Sequence, residues 1–545
     1  MVVETRTRRR WGCFAAVALA LVLAVTAGSG VTAARADDGP MVSTTAGRLR
    51  GVLLPAGGAA FRGMPFAAPP VGDRRWQPPA PVVGWTGVRD ATAFGPPCLQ
   101  PVLGDWNRLN AEHGREDCLS LNVFTAAWPA KGKQPVMVWI HGGGNSGGTG
   151  STDFFAEGRL QRHGVVLVTI NYRLGVFGFF AHPALTRASP KGASGNYALL
   201  DQIAALTWVR DNIAAFGGDP ANVTVFGQSA GAIDLSALAA SPLARGLFHK
   251  AISQSGSITR HPTPLADLEA AGEAWVKRQP VPAGQEAMAY LRGLSGAALL
   301  QAVADTEPAA RPPVEQAIDG WVLTARPAQV FFAGTQAPIP MIVGHTSREL
   351  PMQQSAEQVR ATILRGVPAE QAPAVLDAYG LANGGPGLTD DPIDGPLSVQ
   401  FIVDVQFRCT AVLQQAWIEA SRHAAYGYQF DRPVAGREAE GAPHSAELVH
   451  VFGSFETGRR IGGSYDDADR RLSDAMQRYW TNFAKTGDPN GPGLPAWPRA
   501  RGDGGYLEFL PDARVVARTG FRKKQCDPFR KVVEAEPIYR PAAAR

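Results

Sequence analysis

The chain has 545 residues, 45% hydrophobic and 19% charged, with a formal net charge of +5. This is ordinary globular composition, enough for one large domain or several smaller ones. Much of the positive charge lies in the first ten residues, so the body is nearly neutral and offers no case for a nucleic-acid partner.

In chain order, the first segment is MVVETRTRRRWGCFAAVALALVLAVTAGSGVTAARADDGP. A basic start, an apolar run of about 15 residues and Ala34-Arg35-Ala36 read as a secretory signal peptide over residues 1–36. The run is shorter than the roughly 20 residues of a membrane span, so no stable membrane anchor is expected. Its removal takes five arginines and one glutamate and leaves 48 basic and 47 acidic side chains. Cys13 leaves with it. The four cysteines left, Cys98, Cys118, Cys409 and Cys526, are even in number, as an oxidising compartment favours. Four cysteines permit three pairings. An exported, extracellular protein is the expectation.

From residue 135, PVMVWI is an apolar run that ends in HGGG, and GVVLVTINYRLG from 164 is a second. Continuous, β-rich runs bounded by Gly read as buried parallel strands. Residues 198–216 carry helical spacing and stop at Gly217-Gly218-Asp219-Pro220. VTVF, Ser229 and the helical AGAIDLSALAA follow; PIPMIVG (338–344) and YGYQF (426–430) are further strands, and 470–487 is a late helix. Strands alternating with helices indicate an α/β fold with a large, mostly parallel central sheet. No linker or repeat divides residues 37–545, which are expected to form one domain.

The pattern G-x-S-x-G occurs twice, around Ser229 in GQSAG and around Ser146 in GNSGG. Only Ser229 follows a strand and opens a helix, the context of a nucleophile elbow. A serine needs a base to take its proton, and acyl transfer needs donors for the carbonyl oxyanion. HGGG after a strand is the expected oxyanion loop, which nominates the N–H groups of Gly143, Gly144 and Ala230. The base should follow the serine. His444, in a loop after YGYQF, is favoured over His345, which leaves little chain for the acid between them. Glu349, beyond PIPMIVG, is the candidate acid, and spacing alone would also allow a solvated carboxylate. No Cys/His cluster has metal-site spacing, and no cofactor is expected.

With FRGMPFAAPPVGDRRW, EDCLSLNV, HGGG, NYRLGVFGF, GQSAG, AISQSG and NFAKTGDPN in this order, the chain resembles type-B carboxylesterases, from about residue 45 to 527. The resemblance implies an α/β-hydrolase fold, a Ser229–His444–Glu349 triad and oxyanion donors at Gly143, Gly144 and Ala230. It further implies disulfides Cys98–Cys118 and Cys409–Cys526, ion pairs Arg75–Glu116 and Asp404–Arg522, and a supporting role for Ser255 behind the triad. The sequence departs from the family at Gln228 (usually Glu), expected to lie behind the elbow with little effect. It departs also at Asn145 (commonly aromatic), expected to alter the pocket wall, and at Arg348 and Leu350, which flank the acid in place of Asp and Gly. The expected function is secreted hydrolysis of uncharged short- to medium-chain carboxylic esters, with a small-molecule ester as partner. A lipase for longer glycerides and a non-catalytic binding protein are the competing readings.

Overall fold

The apolar runs that alternate with helices in the sequence lie side by side in one eleven-stranded sheet. The computed structural model describes residues 39–540 except 56, 157–159, 461–462 and 503. The signal-peptide expectation for residues 1–36 lies outside the described residues.

The strands are β1 (Val52–Leu53), β2 (Ala59–Pro65), β3 (Ser120–Thr125), β4 (Gln134–Ile140), β5 (Val166–Ile170) and β6 (Gly218–Gln228). They continue with β7 (Lys250–Gln254), β8 (Met341–Thr346), β9 (Ala425–Phe430), β10 (Tyr506–Phe509) and β11 (Val515–Arg518). The spatial order is β11-β10-β9-β8-β7-β6-β4-β5-β3-β2-β1. From β10 to β5 every neighbouring pair is parallel. The two ends are closed by antiparallel strands.

Both faces of the sheet are buried, so its central strands carry no polar alternation. In β4, Val136, Val138 and Ile140 face one core, where α1 (Tyr197–Asn212), α2 (Ala230–Ala240) and α3 (Cys409–Ala420) pack. Met137 and Trp139 face the other, beneath α4 (Asp467–Thr486). The α4 stripe Leu472, Met476, Tyr479, Trp480 and Phe483 repeats at helical spacing and is buried throughout. Asp466 caps its N-terminus by accepting from Asp469 N–H, and Gly487 ends it at φ 81°.

Cys98 is bonded to Cys118, and Cys409 on α3 to Cys526 on α5 (Lys523–Ala535). The ion pairs lie near them: Arg75 to Glu116 at 2.6 Å, and Arg522 to Asp404 at 2.5 Å.

Candidate active site

The site is assembled where β6 gives way to α2. Ser229 stands between them at φ 56°, ψ −125°, a strained conformation for a residue with a Cβ. Its backbone N–H donates to Gln254 O on β7 at 2.9 Å, which ties the turn to the sheet. The flanking glycines are required by close approach. A Cβ on Gly231 would lie 2.2 Å from Ile140 O, and one on Gly227 would lie 2.6 Å from Gly231 O. Thus α2 starts hard against the end of β4, and the serine is thrust outward, half-buried.

The loop after β4 carries His141 to Gly144. Gly143 and Gly144 have φ of 107° and 63°, and a Cβ on Gly143 would strike Gly147 O at 2.2 Å. Among the described residues, the N–H groups of Gly143, Gly144 and Ala230 donate to no protein acceptor. The loop is held from behind. Tyr172 donates to His141 O at 2.7 Å, and its ring stacks on His141 at 4.4 Å. Burial pulls the His141 pKa down to about 4, so this histidine is neutral and structural.

Asn145 borders a small cavity and is anchored from behind. Its side-chain N–H donates to buried Asp234 at 3.0 Å, and Gln202 and Gln316 donate to the same carboxylate at 2.7 Å each. The aromatic volume is thus replaced by a polar anchor beneath the oxyanion loop.

Glu349 follows β8, fully buried. Its Oε1 accepts Thr346 N–H at 2.8 Å, and its Oε2 accepts from His444 Nδ1. Burial pushes the carboxyl up, but the His444 charge and hydrogen bonding outweigh it and hold Glu349 below its ordinary pKa. For His444, burial lowers the pKa and Glu349 raises it, with a net rise. Ser255, at φ 52° just past β7, lies against Glu349 and helps hold it ionised, although its buried hydroxyl makes no well-formed hydrogen bond. His444 and Glu349 are therefore joined, and His444 reaches Gln228, the residue next to Ser229. Ser146 lies in a turn with its Oγ on Gly144 O at 3.3 Å, and His345 is buried against Phe521.

Several supporting roles had no sequence signal. Arg348 points away from the site and clamps two loops, donating to Ile393 O at 2.9 Å, Pro392 O at 2.9 Å and Ala439 O at 2.6 Å. The clamp fixes the segment leading to His444 against the one that carries Glu349. A π-turn over Asp404–Arg408 presents Phe407 to the His444 ring at 5.6 Å. Buried Arg408 there donates to Ser347 O, pairs with Asp404 at 3.0 Å and with Asp394 at 2.7 Å. Such bulges recur at functional sites, and only the fold reveals this one.

Gln228 is the residue the sequence placed wrongly. It lies not behind the elbow but beside the base, its Nε2 3.0 Å from His444 Nε2. Among the described residues, Ser229 Oγ has no hydrogen-bond partner.

A cavity of about 30 Å³ adjoins Gly144, Asn145 and Ala230. Ile233, Pro262 and Val314 line it, with Arg260, His261 and Glu315 at its exposed side.

The family model described as "Carboxylesterase family" matches residues 38–366 and 390–529. The chain is 36% identical over 491 residues to a fumonisin B1 esterase of Sphingopyxis macrogoltabida, covering 88% of each chain. It is 34% identical to a medium-chain fatty acyl-CoA hydrolase precursor of Anas platyrhynchos, covering 93% of this chain and 95% of that one. Among solved structures, a PNB esterase superposes with a TM-score of 0.76 at 30% identity, covering 90% of this chain and 99% of the other. The α/β-hydrolase sheet, the matched family model and relatives of nearly equal length agree: the chain belongs to the carboxylesterase family.

Proposed function

We propose that the chain is an exported serine carboxylesterase that works through an acyl-enzyme. One observation carries the reading: His444 is bonded to the buried Glu349 carboxylate on one side and reaches the residue next to Ser229 on the other. In this scheme Ser229 Oγ attacks the ester carbonyl carbon while His444 Nε2 takes its proton. The oxyanion receives the N–H groups of Gly143, Gly144 and Ala230, each worth roughly 3–4 kcal/mol in such sites. The imidazolium then protonates the leaving alkoxide, and a water molecule repeats the sequence on the acyl-enzyme. Glu349 fixes the tautomer and stabilises the imidazolium. No cofactor enters the scheme. Export is supported by the two disulfides, which persist in oxidising compartments.

The proposed substrates are uncharged esters of short to medium acyl length, including aryl esters. The similarity to a medium-chain fatty acyl-CoA hydrolase precursor and to a PNB esterase supports this. With p-nitrophenyl esters from acetate to palmitate, kcat/KM should rise, peak at short or medium length and fall. Each methylene that fits should add at most about 1–3 kcal/mol. A jump in activity only when long-chain triglyceride forms droplets would instead identify a lipase.

The pH profile follows from the base. His444 must be neutral to take the serine proton, and its pKa is raised from the ordinary 6.5. The acid limb of kcat/KM should therefore have its midpoint above pH 6.5 and fall about tenfold per unit below it. An acid midpoint well below 6.5 for a soluble p-nitrophenyl ester would contradict the Glu349–His444 coupling.

A further inference from the structure

The donor–acceptor logic around His444 leaves one contact that the scheme above does not use. His444 Nδ1–H is committed to the Glu349 carboxylate, so in the neutral ring Nε2 is a lone-pair acceptor. The group on that lone pair is the Gln228 amide at 3.0 Å, while Ser229 Oγ makes no hydrogen bond among the described residues. Gln228 is 3% exposed and lies against the oxyanion loop. A Cβ on Gly142 would sit 2.9 Å from Gln228 Oε1 and 3.0 Å from Ser229 Cβ. The amide is thus wedged between base, serine and oxyanion loop.

We infer that Gln228 is a positioning residue for the general base: its amide N–H holds His444 Nε2 in the resting enzyme, leaves that lone pair when bound substrate brings Ser229 Oγ onto it, and its carbonyl turns to the imidazolium once the Ser229 proton has moved. The inference rests on the serine-esterase reading. Its chemical basis is that Nε2 changes from acceptor to donor in the reaction. A terminal amide offers both partners by rotation about its last bond. A carboxylate offers only an acceptor, and a thioether offers neither with comparable strength. In the resting state the amide keeps the imidazole oriented although the serine is not yet engaged. The ionisable groups that bear on His444 are Glu349, from the segment after β8, and Glu447, three residues along its own segment. Gln228 from β6 and Phe407 from the π-turn face it uncharged.

The test compares Q228E and Q228M with the native enzyme on a soluble p-nitrophenyl ester across pH, with melting temperature as the folding control. In Q228E a carboxylate faces Nε2 and favours the imidazolium, so the acid midpoint of kcat/KM should rise by about one unit or more. In Q228M the imidazolium loses its acceptor, so kcat should fall about tenfold while KM stays within about twofold, and the midpoint should not rise. A Q228E midpoint within about 0.3 units of native, or a Q228M kcat within about twofold of native, would overturn the role. Should Q228E fail to fold, Q228M carries the test. Phosphonate labelling of Ser229 and the turnover of His444→Ala are measured alongside. If labelling misses Ser229 or His444→Ala stays active, the serine reading itself has failed. If both behave as proposed and the Gln228 variants do not, only the positioning role is lost.

Discussion

Ser229→Ala should lower ester turnover by roughly five to six orders of magnitude and abolish covalent labelling by an organophosphonate. The loss should be chemical, not structural. The Ser229 hydroxyl has no protein partner among the described residues, so its removal breaks no hydrogen bond. Alanine inherits the same strained backbone at φ 56°, and the melting temperature should barely move. The internal control is Ser146→Ala. That serine also lies in a G-x-S-x-G match, but it sits in a turn with its hydroxyl on Gly144 O. Labelling should survive there. Labelling retained in the first variant and lost in the second would reverse the assignment.

His444→Ala should cost about as much as loss of the serine, because a triad acts as a unit. Glu349→Gln should cost less, about ten-thousand-fold. A glutamine at 349 can donate to Nδ1, which favours the tautomer with its proton on Nε2, where the base is needed. The contrasting histidine is His450. It is buried, with Nε2 on Asp469 at 3.0 Å, and Arg432 binds the same carboxylate. His450→Ala should therefore weaken the fold by about 1–3 kcal/mol while each folded molecule keeps its turnover. If His450→Ala or Asp404→Asn proved as damaging to turnover as His444→Ala while Glu349→Gln stayed near native, the triad would need reassignment.

The sheet was legible where its strands are apolar on both faces, as in β4, β5 and β8. It was opaque at β7, whose Lys250-Ala251-Ile252-Ser253-Gln254 is fully buried yet largely polar. The fold meets those groups at long range: Gln254 donates to Glu447 at 3.0 Å and accepts from Trp480 at 3.1 Å. The short antiparallel strands at both ends carry no continuous apolar run and escaped notice for the same reason. Within the site, backbone-determined parts were readable, because G-x-S-x-G and HGGG encode close approach directly. The side-chain packing around the base was not. Gln228 could face either way along its strand end, and only the packing of Gly142 and His444 decides it. Arg348 looked like a departure beside the acid, and its role as a clamp depends on loops about 45 and 90 residues away in sequence.

The tight seating of α2 on β4 also limits what can be varied in the laboratory. The obstacles facing Gly227 and Gly231 are carbonyl oxygens of the main chain, at 2.6 Å and 2.2 Å. A main-chain oxygen cannot be trimmed by a second substitution, so no compensating partner exists for a larger residue at either position. Libraries aimed at new substrates would waste their diversity there. Side chains that line the cavity beside the oxyanion loop, such as Ile233, Val314 and Arg260, are the better targets. Substitutions at those side chains would leave the main-chain contacts of the Ser229 turn untouched.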